Sequence, residues 1–167
     1  MTDKQIVDFI RESNCIEGIH REPTPEEIQV SERFLALPVV GVENLRVFVA
    51  VCQPGAALRE YAGLDVRVGN HVPPPGGPKI MRSLKLILER ANVGDDGLVL
   101  AGGVLDAAFH HPYRVHQDYE TLHPFTDGNG RSGRILWAWQ MLRQKIWPGL
   151  QLGFLHAYYY QSLERGR

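Results

Sequence analysis

Apolar positions recur along most of the chain at helical spacing. Ile6, Phe9 and Ile10, with Ser13 completing the stripe, follow i, i+3, i+4 and i+7 and predict an amphipathic helix over residues 3–17. One more turn brings Glu17 onto the same inward side, and Gly18 follows as a C′ stop. Thr24-Pro25-Glu26-Glu27 is a capping box with proline at the first helical position, so a second helix runs from there to about Leu37 and stops at Pro38. Val42 to Cys52 predicts a third, and Lys79 to Ala91 (Ile80, Leu84, Ile87, Leu88) a fourth. Leu98 to Leu122 reads as two helices broken near His110-His111-Pro112. A helix from about Arg131 to Lys145, and another after Pro148 carrying Leu155, Tyr158 and Tyr159, complete the set.

The period changes only over residues 64–72. Val66 and Val68 alternate with Asp65 and Arg67, Gly69-Asn70 is a hairpin turn signal, and Pro73-Pro74-Pro75 forbids further pairing. The expected fold is therefore mainly α, a helical bundle with one short, exposed β-hairpin. No repeat, low-complexity tract or linker divides the chain, so residues 1–167 read as a single domain.

Composition narrows the function. Apolar residues make up 44% of the 167, enough for a real core. The net charge of -1 leaves no basic field for nucleic acid. No apolar run approaches a membrane span, and the N-terminus lacks a signal-peptide core. Cys15 and Cys52 form no disulfide framework and fit a reducing, cytoplasmic setting.

The candidate chemistry sits in residues 123–134, "HPFTDGNGRSGR". Arg131 and Arg134 lie on the apolar side of a helix start, where the helix dipole already disfavours cations. Both placements make sense only if an anion is present. The preceding Asp-Gly-Asn-Gly turn offers backbone N–H groups for an anion nest, so loop, helix N-terminus and two arginines describe a polyphosphate cradle. Asp127 beside it most simply holds Mg²⁺. His123 suits a general base, since imidazole titrates near neutrality. Phe125 anchors the loop in the core.

These residues resemble the Fic family motif, H-x-F-x-[D/E]-G-N-G-R-x-x-R, at every fixed position. The likeness extends over a core from about Val42 to Lys145, in which the hairpin resembles the family's flap. The resemblance implies transfer of AMP from ATP to a hydroxyl of a target protein, with release of pyrophosphate. It makes His123 the base and Asp127 the Mg²⁺ ligand. Gly128, Asn129 and Gly130 become the anion hole, with Asn129 near the α-phosphate; Arg131 then meets the β-phosphate and Arg134 the γ-phosphate. Glycine at 128, rather than the lysine of a phosphotransferase branch, favours nucleotidyl transfer. The target would add a strand beside Asp65, Val66, Arg67 and Val68 of the flap.

Ser13-Asn14-Cys15-Ile16-Glu17-Gly18 resembles the family's inhibitory motif, [S/T]-x-x-x-E-[G/N], in the class that carries it N-terminal to the core. An acid at a helix C-terminus needs a cation, and Arg134 needs an anion, so a bidentate Glu17–Arg134 pair would satisfy both and hold activity low. Two other functions compete with AMP transfer: removal of AMP, with Glu17 orienting a water, and a non-catalytic ATP-sensing adaptor, which the intact His123 disfavours. His110, His111, His116 and Asp118 lie close together but lack the H-E-x-x-H spacing of a zinc hydrolase, and read as helix-packing residues. Tyr158-Tyr159-Tyr160 is part core and part surface, with an exposed hydroxyl there a candidate for self-modification. Cys15 reads as a small buried thiol rather than a redox switch.

Overall fold

The computed structural model describes residues 2–93 and 110–145. Within them lie α1 (Asp3–Ile16), α2 (Pro25–Leu35), α3 (Val42–Cys52), α4 (Pro78–Asn92), α5 (Pro112–Leu122) and α6 (Asn129–Arg143). The helices expected before His110 and after Pro148, with Tyr158-Tyr159-Tyr160, fall outside the described residues.

The predicted helix ends follow from their caps. Glu27 N–H donates to the Thr24 hydroxyl at 3.2 Å, and Thr24 N–H to the Glu27 carboxylate at 2.8 Å, closing the capping box. At the end of α1, Gly18 takes φ +74°; its N–H donates to Cys15 O and that of Ile19 to Asn14 O, a Schellman closure. That closure leaves Glu17 as the C-cap residue of α1.

α6 packs against each of the other five helices. Ile135, Leu136, Ala138 and Trp139 are at most 1% exposed, so a helix that presents apolar groups on several sides has found a neighbour for each. The helix begins two residues earlier than expected, with Gly128 as its N-cap. Trp139 keeps its indole N–H satisfied on Leu37 O at 2.8 Å.

The hairpin is the correction. The expected ladder over 64–72 reduces to one antiparallel bridge, Val68 to His71, around the Gly69-Asn70 turn. Asp65, Val66 and Arg67 have no strand partner among the described residues. The ladder stops at the prolines: Pro73 and Pro75, which would face Val66 and Leu64 in the next hydrogen-bonded pairs, have no N–H to donate. The limbs are tied instead by Arg59, whose guanidinium donates to Leu64 O and Pro74 O. Gly76, whose added Cβ would lie 2.6 Å from Tyr61 O, lets the two limbs close without pairing.

Candidate functional site

α5 delivers His123 to the mouth of the site. The residue occupies the left-handed region, φ 51° and ψ 63°, which is uncommon outside glycine. Among the described residues, three hydrogen bonds fix it there. Its N–H donates to Tyr119 O at 2.9 Å, its carbonyl accepts from Arg59 Nη1 at 2.7 Å, and its Nδ1 lies 3.2 Å from Glu120 O. A carbonyl can only accept, so that last bond keeps the proton on Nδ1 and leaves the lone pair on Nε2.

The loop after His123 runs antiparallel to residues 57–59. Arg59 N–H donates to Pro124 O and Thr126 N–H to Ala57 O, both at 2.8 Å. Phe125, 1% exposed, is the anchor expected of it. The Asn129 side chain accepts from Phe125 N–H and donates to Phe125 O, each at 2.8 Å. Both ends of the amide therefore brace the turn, and what Asn129 offers the cradle is its backbone N–H at the helix start.

Two glycines make the cradle possible. Gly128 caps α6 at φ +75°, and an added Cβ would sit 3.0 Å from Gln53 Cβ. Gly130 is tighter still: a Cβ there would lie 2.1 Å from Glu17 Oε1 and 3.0 Å from Arg134 Nη1. The Glu17 carboxylate is thus seated against the first turn of α6, where the helix dipole favours an anion.

Arg134 is wholly buried beneath it. Where a bidentate fork to Glu17 was expected, the guanidinium is shared. Its Nη2 donates to Glu17 Oε1 at 2.5 Å and to Ser13 O at 3.0 Å, and its Nε donates to the Ser13 hydroxyl at 2.8 Å.

Arg131, one turn earlier, is 5% exposed and differently held. Its Nη2 donates to Gln53 Oε1, its Nη1 lies 3.8 Å from Glu27 Oε1, and its Nε has no hydrogen-bond partner among the described residues. Glu27 belongs mainly to Arg21, at 2.7 and 2.9 Å. Burial pushes the Glu27 carboxyl up, but Arg21, the Thr24 N–H and Arg131 together hold it below its ordinary value. The thiol of Cys52, beside this cluster, is pushed up to about 12 by burial, so it stays protonated and unreactive at neutral pH.

Asp127 is exposed at the rim. Its Oδ1 accepts from Gly128 N–H at 2.7 Å and its Oδ2 from Gln53 Nε2 at 2.6 Å. Lone pairs remain on both oxygens. That fits Mg²⁺, which takes one or two carboxylates and completes its shell with substrate oxygens and water. Among the described residues no group of three or more His, Cys, Asp or Glu side chains could hold a metal alone. The histidine cluster does not converge. Asp118 pairs with Arg90 at 2.6 Å, His111 caps α5 by accepting from Tyr113 N–H, and His116 stacks on Trp137. Burial, and then the charge of Arg134, pull His116 down to about 3, so it is neutral.

Sequence reasoning missed Arg59, Gln53 and the burial of Glu27. Arg59 has no exposure, and burial lowers its pKa against the opposing pull of Asp65. It gathers carbonyls from Leu64, Pro74 and His123 and so ties the flap to the base. Its only signal was an arginine directly after the apolar Ala56-Ala57-Leu58. Asp65 accepts from Gly76 N–H at 2.8 Å, which closes the base of the flap.

No helix among the described residues is long and apolar enough to cross a membrane. Comparison with curated proteins gives no match. The model of the Fic/DOC family matches residues 59–141, from the strut at Arg59 through the flap, α4, α5, the cradle and most of α6. That family includes enzymes that transfer AMP to proteins, with related enzymes, and they use ATP and a metal ion. With its motif complete and its elements in these positions, the chain belongs to the Fic/DOC family.

Proposed function

We propose that this protein is a protein adenylyltransferase held at low activity by Glu17. The observation that carries the reading is the Glu17 carboxylate itself, an internal anion seated on the α6 N-terminus and bound to Arg134. A site that holds a partly exposed carboxylate against a buried arginine and a helix N-terminus is a site built for anions, and a nucleotide's terminal phosphate must compete for it.

The chemistry follows from the groups around it. A target hydroxyl gives its proton to His123 Nε2 as its oxygen bonds to the α-phosphorus. The bond from that phosphorus to pyrophosphate breaks, and the leaving group is held by Arg131 and Arg134. Mg²⁺ on Asp127 would neutralise charge on the phosphates when bound. The backbone N–H groups of Asn129 and Gly130, at the start of α6, would meet the charge that develops, while that of Gly128 is given to Asp127, so positioning and electrostatics carry the rate. The unpaired backbone of Asp65, Val66 and Arg67 supports docking of a target segment in strand form, with Val68 closing the flap turn.

The test is labelling with α-³²P-ATP and Mg²⁺ of the parent, Glu17→Gly and Glu17→Gly/His123→Ala. Strong labelling by Glu17→Gly alone is the expected result. Flat labelling across all three, with intact circular dichroism, overturns the transferase reading. Loss in Glu17→Gly of an AMP-removing activity present in the parent would instead assign Glu17 to hydrolysis.

A further inference from the structure

Gln53 lies outside the residues that the family model matches, and neither the motif nor the patterning pointed to it. It is the C-cap residue of α3, half-buried, and its side chain reaches into the cradle from the opposite side. The amide Oε1 accepts from Arg131, and Nε2 donates to Asp127 Oδ2 at 2.6 Å. Only one orientation of the amide works, because a guanidinium has donors only and a carboxylate acceptors only.

Asp127 and Arg131 are opposite charges four residues apart at one helix start. Left alone, they would pair with each other, and such a pair would turn the carboxylate away from solvent and take the guanidinium away from a phosphate. A neutral amide with one acceptor and one donor satisfies both and keeps them apart. It leaves one lone pair on the exposed Asp127 Oδ2 for another partner, and the buried Nε of Arg131 uncommitted among the described residues. Gly128 completes the fit, since any Cβ there would press on Gln53 at 3.0 Å.

We infer that Gln53 is a positioning residue that holds Asp127 ready for a metal ion and Arg131 ready for a phosphate by preventing their direct pairing. This rests on the nucleotide-and-metal reading above. Partners that orient a ligating carboxylate typically contribute about 10–100-fold to metal affinity.

The test is calorimetric titration of ATP, with and without Mg²⁺, into Glu17→Gly protein and into the same protein carrying Gln53→Met. Methionine keeps the length and volume but makes no such hydrogen bonds. The expected result is a loss of about tenfold or more in the gain in ATP affinity that Mg²⁺ confers, with AMP binding unchanged. The same substitution should have no further effect on that gain in an Asp127→Ala background, because the two residues act as a unit. A full Mg²⁺ gain in Gln53→Met overturns the inference, as does an equal loss with and without the metal. Two independent losses from Gln53 and Asp127 also overturn it. Should Gln53→Met fail to give a cooperative thermal melt, Gln53→Glu makes the same test. It keeps the acceptor for Arg131 but removes the donor to Asp127, and an unaltered metal gain again overturns the inference. Absence of any Mg²⁺ gain in Glu17→Gly itself would sink the nucleotide-and-metal reading, and this inference with it; a clear gain there, retained in the variant, sinks this inference alone.

Discussion

Arg131 and Arg134 stand one helical turn apart on α6, and the molecule keeps them in opposite ways. Arg134 has no exposed surface and is bound by a carboxylate, a hydroxyl and a carbonyl, all from the last turn of α1. Arg131 is held by a neutral amide that also donates to Asp127, and it stands 3.8 Å from an acid that Arg21 already occupies. A charge-paired end must be vacated before an external anion can use it; an amide-held end need only be approached. The cradle is thus closed at one end and poised at the other, and the closing piece is a separate helix. The connector behind α1 is fastened by Arg11 to Glu22 and by Arg21 to Glu27, both at 2.7 Å, so the closure is anchored on α2.

The largest effect tests whether both ends serve one reaction. In the Glu17→Gly background, His123→Ala should cut transfer by about 10²–10⁴-fold, the usual range for loss of a general base. ATP affinity measured by calorimetry should change little, because His123 flanks the cradle without forming it. Transfer at the undiminished rate would remove the base role and leave the two arginines as a binding site only.

Next comes the closed end itself. Hydrogen bonds to charged groups contribute about 1.5–3 kcal/mol, so freeing Arg134 by Glu17→Gly should tighten ATP binding about 10–150-fold. AMP, which lacks the terminal phosphates, should bind almost as before. Equal gains for both nucleotides would place the effect of Glu17 on the adenosine side and break the contrast between the ends.

A third measurement asks how dry the closed end is. His116 lies near the buried charge of Arg134 and is held neutral, at about 3 against an unfolded value near 6.5. Its contribution to stability is complete above pH 6.5. It is lost as pH falls toward 3, because there the unfolded chain takes up a proton that the folded one refuses. Between pH 7 and pH 5 that loss is roughly 2 kcal/mol. Urea unfolding of parent and His116→Phe at the two pH values checks it. The variant keeps an aromatic face for Trp137 and should lose that much less. Identical pH slopes would mean that solvent reaches His116.

The contrast between the ends also marks what the sequence could reveal. The pairing of Arg134 with Glu17 was legible, because Glu17 continues the helical stripe through Ser13 and Gly18 announces where it stops. The helices with strong caps, α1 and α2, were legible for the same local reason. Gln53 was not, since a glutamine after an apolar helix carries no periodic signal and its partners lie more than seventy residues away. Arg59 hid similarly, as its role depends on carbonyls brought together only by the fold. The flap failed in the other direction. Alternation and a Gly-Asn turn promised a ladder, but Pro73 and Pro75 have no N–H to extend it past the Val68–His71 bridge, and the long-range guanidinium of Arg59 ties the limbs instead.

The smallest effect separates charge from contact at the closed end. Ser13→Ala removes the hydroxyl that accepts from Arg134 Nε but leaves the Ser13 carbonyl and the Glu17 carboxylate in place. A bond from a guanidinium to an uncharged hydroxyl is worth about 1.5 kcal/mol, the low end for hydrogen bonds to charged groups, and alanine recovers a few tenths of that as the better helix former. The buried Nε left behind gains from any phosphate oxygen that reaches it, which favours nucleotide over closure. ATP should therefore bind about fivefold more tightly to Ser13→Ala than to the parent, well short of the gain from Glu17→Gly. Adding Ser13→Ala to Glu17→Gly should give less than its separate fivefold, because both act through one guanidinium. If Ser13→Ala alone matched Glu17→Gly, the hydroxyl would be the principal restraint. The difference between the two arginines would then lie in how many groups hold them, not in the charge of the group that does.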